Sequence, residues 1–281
     1  MGLVDDRPRP TAMHSGTLAI IAGGGRLPRL VLDGARAMGL RVVGVGFAGE
    51  TEPELTEGMD AWKWLHLGQL GKLIAFCKEQ GVTQIVMAGK VHKARAVDLR
   101  PDWRAAKLLW KVKNTQDDVL LRAIAQELES EGLAVVAAQD FLPHLQTPEG
   151  ILTRRGPTPE ERADIEFGWP LAQRMGALDI GQCVVVRKRT AVAVEALEGT
   201  DSTILRAGKL VGPGCVVIKV FKPIQDIRLD LPAIGPQTVR AMMQAKASCL
   251  AVEAGRSLFL DLPESLNLAE SAGISIVGVA S

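Results

Sequence analysis

Residues 17–31, TLAIIAGGGRLPRLV, decide the fold: Leu18–Ala22 is an uninterrupted apolar run, Gly23-Gly24-Gly25 turns the chain, and Pro28 stands where a helix begins, with Gly39 at its far end. A short apolar run closed by glycines reads as a buried strand, and proline is tolerated in a first helical turn because its missing N–H would be unpaired there anyway. The same alternation continues outward. Arg41–Gly46 reads as a strand, Leu70–Gln80 as a helix stopped by Gly81, Gln84–Ala88 as a strand, Asp117–Glu131 as a helix and Leu133–Ala138 as a strand. Strands separated by helices imply a parallel sheet covered on both faces. Residues 17–144 are therefore expected to form a Rossmann-like nucleotide-binding domain.

Residues 145–160, which include Thr147-Pro148-Glu149-Gly150 and Arg154-Arg155-Gly156-Pro157-Thr158-Pro159, read as an interdomain linker. Pro159 opens a helix that runs to about Met175. Cys183–Arg187 and Ala191–Ala196 form an expected hairpin through Lys188-Arg189-Thr190. Val216–Phe221, Leu250–Ala254 and Ile274–Val279 read as strands, and Gln237–Ser248 and Leu266–Ala272 as helices. The expected class is α/β, an N-terminal Rossmann-like parallel-sheet domain followed by a second mixed α/β domain over residues 161–281. Residues 1–16 are expected to be a flexible tail.

Composition narrows the functional classes. The 281 residues carry 33 Lys and Arg against 32 Asp and Glu, with no tyrosine, so there is no overall positive field or aromatic platform for a nucleic acid. Cys77, Cys183, Cys215 and Cys249 are scattered without zinc spacing and read as reduced, buried thiols. The start, MGLVDDRPRPTAMHSG, lacks the basic n-region and apolar core of a signal peptide, and no later stretch is long and apolar enough to span a membrane. A cytoplasmic protein is expected.

Two groups of side chains have the chemistry of a phosphate site. Glu195-Ala-Leu-Glu198-Gly199-Thr200-Asp201 sits on a strand-to-helix turn, and Lys219-Val-Phe-Lys222-Pro-Ile-Gln225-Asp226-Ile-Arg228-Leu-Asp230 follows an apolar strand. Carboxylates supply hard oxygen ligands for a divalent metal, and lysines neutralise phosphate oxygens. Asp226 is the leading metal ligand or water-activating base, followed by Asp201 and Glu195; Lys219 and Lys222 are candidate phosphate cations, and Thr200 and Gln225 candidate hydrogen-bonding groups. The same residues also suit solvated strand caps and surface pairs. Arg228 and Asp230 read as a structural ion pair.

In the first domain, Gly23, Gly24 and Gly25 carry the start of a dinucleotide fingerprint, but Pro28 replaces its third glycine, which weakens an NAD site. The turn either presents backbone N–H groups to a phosphate, helped by Arg26, or joins strand to helix and no more. Lys90, His92 and Lys93 follow a strand at the edge where open parallel sheets bind ligands, or form a basic solvated loop. Asp117 and Asp118 suit a helix N-cap, and Asp118 also a metal or ribose. His66 and His144 have no motif around them.

Four segments in order, GTLAIIAGGGRLPRLV at 16–31, TQDDVLLRAI at 115–124, VEALEGTDSTILRAG at 194–208 and KVFKPIQDIRLDLPAIG at 219–235, resemble the LpxI-type UDP-2,3-diacylglucosamine pyrophosphatases of lipid A biosynthesis. The resemblance spans about Thr17 to Val279. It implies hydrolysis of UDP-2,3-diacylglucosamine to UMP and 2,3-diacylglucosamine 1-phosphate (lipid X), with Mg2+ or another divalent metal. It further implies a substrate bound between the two domains, with Leu205, Met242 and Met243 as candidate acyl-chain liners or ordinary core. Transient contact with the inner-membrane surface follows from a lipid substrate, although no basic amphipathic anchor stands out; a homodimer is one expected assembly. The competing classes are an NAD-dependent oxidoreductase and a noncatalytic nucleotide-sugar sensor.

Overall fold

The computed structural model describes residues 16–91, 100–112, 117–222, 226–229 and 233–280, with Asp117 and Asp118 described in their backbone alone. The chain divides into two compact units, the first ending at Leu142 and the second beginning at Pro143.

Unit 1 runs β1 (Thr17–Ala22), α1 (Leu27–Ala37), β2 (Arg41–Phe47), β3 (Ala61–Leu65), α2 (Leu70–Glu79), β4 (Val82–Ala88), α3 (Trp103–Lys111), α4 (Asp117–Ser130) and β5 (Ala134–Val135). The five strands lie in the order β3-β2-β1-β4-β5, every pair parallel. Leu18, Ala19 and Ile20 are wholly buried, as a central parallel strand requires. Pro28 occupies the first turn of α1, and Pro28, Val31, Leu32 and Ala35 form its buried stripe at helical spacing. The chain order places β1 where the winding reverses, between β2 and β4.

β3 and α3 are additional to the elements expected from the sequence, and β5 is shorter than expected. Only Ala134 and Val135 pair with β4, after which residues 138–141 tighten into a 3-10 turn.

Unit 2 comprises β6 (Gly150–Ile151), α5 (Pro159–Ala177), β7 (Cys183–Arg187), β8 (Thr190–Val194), α6 (Thr200–Val211), β9 (Val216–Lys219), β10 (Ala233–Ile234), α7 (Pro236–Ala245), β11 (Cys249–Glu253), β12 (Leu258–Phe259), α8 (Leu262–Ser271) and β13 (Ser275–Val279). Its main sheet has the order β6-β13-β11-β9-β7-β8, in which β13, β11 and β9 are parallel and β6, β7 and β8 join antiparallel. Alternation sends Cys183, Val185, Val217, Leu250, Val252 and Ile276 into one core with Ile204, Ala207, Val239 and Met242. Val184, Val186, Ile218 and Ala251 enter the opposite core with Ala172 of α5. Met242 is therefore core, and Leu205 and Met243 pack against the same cluster. The β7–β8 hairpin turns through Lys188 and Arg189, both at positive φ, and Asp164 accepts from both backbone N–H groups at 3.0 and 2.5 Å.

Residues 145–160, expected as a linker, are built into unit 2. β6 pairs with β13, Thr153 Oγ1 accepts from Ile276 N at 2.9 Å, and the Arg155 guanidinium bonds Glu161 and the carbonyls of Ser248 and Gly273. Their loop-like composition reflects an irregular path whose polar groups are satisfied by the sheet edge. The four cysteines are free and buried, and desolvation pushes Cys77 and Cys249 up to about 12.

Candidate functional site

In unit 1 the carboxyl ends of β1 and β4 meet at the glycine turn. Gly23 N donates to Ala88 O at 2.7 Å, Gly24 N to Lys90 O at 2.8 Å, and Lys90 N back to Gly24 O at 3.0 Å. The N–H groups of Gly23 and Gly24 are thus spent holding two strand exits together. A Cβ on Gly23 would lie 2.6 Å from Lys90 O, and one on Gly24 2.8 Å from Glu50 O, so close approach of three loops dictates these glycines. Any anion-binding capacity begins at exposed Gly25, whose φ is +87°, and the first turn of α1. Arg26 and Lys90 are exposed cations on this edge, at the carboxyl ends of the strands, where open parallel sheets generally bind ligands. His92, Lys93 and Gln225 lie outside the described residues, as does the Asp118 side chain.

In unit 2 a row of side chains crosses three adjacent strands. Glu195 N donates to Cys183 O at 2.9 Å, and Cys183 is in register with Lys219. All three side chains point toward the α6 side, because Ala193, Cys183 and Val217 do and side chains alternate at period two. Glu195 is 7% exposed; its Oε2 accepts from Gln182 N at 3.2 Å and its Oε1 from Thr200 Oγ1 at 3.0 Å. Lys219 is 5% exposed and donates from Nζ to Ala233 O at 3.1 Å. Burial raises the Cys183 thiol far above its ordinary value, with Glu195 and Asp201 raising it further and Lys219 opposing them. The Cys183 thiol thus lies within the influence of both carboxylates and the ammonium; Glu195 and Lys219 are buried and Asp201 is partly exposed.

The other lysine and aspartate have ion-pair partners of their own. Lys222 Nζ contacts Asp179 Oδ1 at 2.9 Å. Asp226 Oδ1 accepts from Arg228 N at 3.0 Å and Nε at 2.9 Å, and its Oδ2 from Nη2 at 2.7 Å. Arg228, expected to pair with Asp230, therefore engages Asp226, whose carboxylate is within reach of both its backbone and its guanidinium; Asp230 lies outside the described residues. Glu198 is drawn outward to Arg206 at 2.5 Å.

Glu253 was not singled out from sequence. It ends β11 at 3% exposure, its Oε2 accepts from Phe221 N at 2.6 Å, and Arg256 reaches its Oε1 at 3.5 Å while lying 5.3 Å over the Phe221 ring. These three residues line an open cleft of about 510 Å3 together with Pro170, Gln173, Arg174 and Ala177 of α5. The signal was available: Val252-Glu253-Ala254-Gly255 repeats the apolar-strand, acid, glycine pattern of Val194-Glu195 and Gly199.

Among the described residues no three His, Cys, Asp or Glu side chains are gathered as a metal site. Individual hard carboxylate oxygens are present, which suits magnesium, an ion that commonly takes one or two protein carboxylates and completes its shell with water and substrate phosphate.

Fold and strand-end chemistry together define a two-unit α/β protein with a five-stranded parallel sheet and a second sheet whose carboxyl ends bury carboxylates and a lysine. The model of the LpxI N-terminal domain matches residues 17–145 and that of the LpxI C-terminal domain residues 148–277. The chain is 32% identical over 277 residues to the UDP-2,3-diacylglucosamine pyrophosphatase LpxI of Caulobacter vibrioides, covering 93% of this chain and 97% of that one. This chain belongs to the LpxI family. Among solved structures it is similar to CobK precorrin-6A reductase, at 12% identity and TM-score 0.32 over 95% of this chain and 88% of that one. It is also similar to the ADP complex of purK, N5-carboxyaminoimidazole ribonucleotide synthetase, at 14% identity and TM-score 0.28, where 60% of this chain spans 31% of that one.

Proposed function

We propose that this protein hydrolyses the pyrophosphate of UDP-2,3-diacylglucosamine, releasing UMP and 2,3-diacylglucosamine 1-phosphate for lipid A biosynthesis. The supporting observation is the match of both LpxI domains in order, together with a 32% identical relative that bears this activity in its name and aligns over 93% of the chain. In the reaction, water oxygen bonds to one phosphorus, the bridging P–O bond breaks, and the water proton leaves to a base. The protein must orient the water and neutralise charge on the phosphoryl and leaving groups.

Asp226 is assigned to the water or metal, its two oxygens already oriented by Arg228. Lys219 and Lys222 are assigned to phosphate oxygens, Glu195 and Asp201 to contributing metal oxygens, and Thr200 to fixing the Glu195 rotamer. Gln225 and Asp118 keep their assignments by resemblance. Gly25, Arg26 and Lys90, on the scaffold of Gly23 and Gly24, take the nucleotide phosphate. Magnesium bound by Asp226, with Glu195 or Asp201, would neutralise developing phosphate charge. The protein works in the cytoplasm with transient contact at the inner-membrane surface; among the described residues no helix is long and apolar enough to cross a membrane.

The test is Asp226→Asn, which keeps shape and removes charge. UMP release should fall by about 100- to 1,000-fold, the usual cost of losing one charged transition-state group. Because Asp226 and Arg228 are 20% and 35% exposed in their side chains, the pair contributes at most about 1 kcal/mol to stability, and the melting point should hardly move. Full activity in the variant, with and without EDTA, would remove Asp226 from the mechanism.

A further inference from the structure

α3 is a basic amphipathic helix. Its inner side packs through buried Ala105, and Arg104 pairs with Glu127 at 2.6 Å and with Glu131. Asp102 caps it, accepting from Ala105 N at 2.9 Å, and also accepts from Gly71 N at 2.7 Å. The outer side carries Trp103 and Trp110, 86% and 87% exposed, seven positions apart and so nearly in line on the helix. Ala106, Lys107 and Lys111 are exposed on the same side, which bears no acid.

Two almost fully hydrated indoles contribute nothing to the fold's own core, whereas tryptophan favours the boundary between water and lipid, where its ring is half-buried and its N–H stays wet. About 10 Å along the axis separates the pair, so both rings can enter one plane while α3 lies flat. The flanking lysines can snorkel toward headgroups. Aromatic and basic residues on one helix face, without acids, complement an anionic surface. We propose that the outer face of α3 docks this protein on an anionic phospholipid bilayer. The inference rests on the proposed function in one respect: a diacylated substrate is itself a bilayer lipid, so docking brings the enzyme to the phase that holds it.

Flotation of the full chain with substrate-free vesicles tests it. The wild type should float with vesicles containing phosphatidylglycerol and much less with phosphatidylcholine alone. Trp103→Ala/Trp110→Ala should reduce partitioning by about 100-fold, from roughly tenfold per indole withdrawn from lipid. Lys107→Glu/Lys111→Glu changes only exposed side chains, so it keeps the fold should the tryptophan variant lose it. It should lower binding to the anionic vesicles by about 25-fold or more, from roughly fivefold per lysine, and leave phosphatidylcholine binding unchanged. Both variants should hydrolyse detergent-dispersed UDP-2,3-diacylglucosamine at the wild-type rate. The proposal is overturned if the wild type stays with the aqueous phase or if both variants float as it does. It is equally overturned if the tryptophan substitutions split a dimer without changing flotation, which would make this face a contact between copies. Wild-type flotation without hydrolysis would uphold the docking face and refute the enzymatic reading alone.

Discussion

Lys219→Met offers the sharpest probe of the buried charges in unit 2. Lys219 and Glu195 lie on strands that flank β7, two strand spacings or ~9.6 Å apart, on the same side of the sheet. Opposite charges about 10 Å apart, the order of that backbone spacing, attract by about 2 kcal/mol at an effective dielectric of about 20. Methionine keeps the length and apolar stem but removes the charge, leaving Glu195 at 7% exposure without its attraction. Breaking such a buried arrangement costs about 3 kcal/mol, which lowers the melting point by roughly 6–12 °C in a chain of this size. The assay is a urea-unfolding double-mutant cycle with Glu195→Gln. The coupling between the two sites should be about 2 kcal/mol, with the double variant more stable than the sum of single losses predicts. A coupling below about 0.5 kcal/mol would show that the two charges do not share an environment and would refute the grouping of Glu195 with Lys219.

Gly23→Ala places a Cβ 2.6 Å from a backbone oxygen and should destabilise unit 1 by about 1–3 kcal/mol, more than Gly25→Ala, which meets nothing within 4 Å and bears only the left-handed backbone cost; paired thermal melts check the order. Glu161 gives a pH signature. Burial alone would raise its pKa, but Arg155, the Thr158 N–H and Ser248 outweigh that and hold it below its ordinary 4.5. A depressed carboxylate contributes stability above the unfolded-state value and loses it as pH falls through the folded one. Glu161→Gln should therefore cost about 2 kcal/mol at neutral pH and progressively less below pH 4.5, measured by urea midpoints across that range.

The central strand and the first helix were legible because a continuous apolar run, a glycine turn and a first-turn proline each have one dominant structural meaning. β3 was not: Ala61-Trp-Lys-Trp-Leu65 is an edge strand in which only Leu65 is fully buried, so its pattern is faint. α3 escaped because its largest apolar residues face outward, against the rule that finds helices by an apolar core stripe. Residues 145–160 look like a linker since irregular strands that borrow hydrogen bonds from a sheet edge have loop composition. At the candidate site, the apolar-strand-then-acid pattern marks Glu195, and the same pattern recurs at Glu253. That Arg228 turns back onto Asp226, two residues away, depends on a local backbone path that composition does not encode.

Incubating the purified wild-type protein with UDP-2,3-diacylglucosamine and magnesium, and identifying the products by mass, tests the proposed hydrolysis. Equal amounts of UMP and 2,3-diacylglucosamine 1-phosphate, abolished by EDTA, are the predicted result. Intact substrate after prolonged incubation, or cleavage to UDP and the free diacylated sugar, would contradict it.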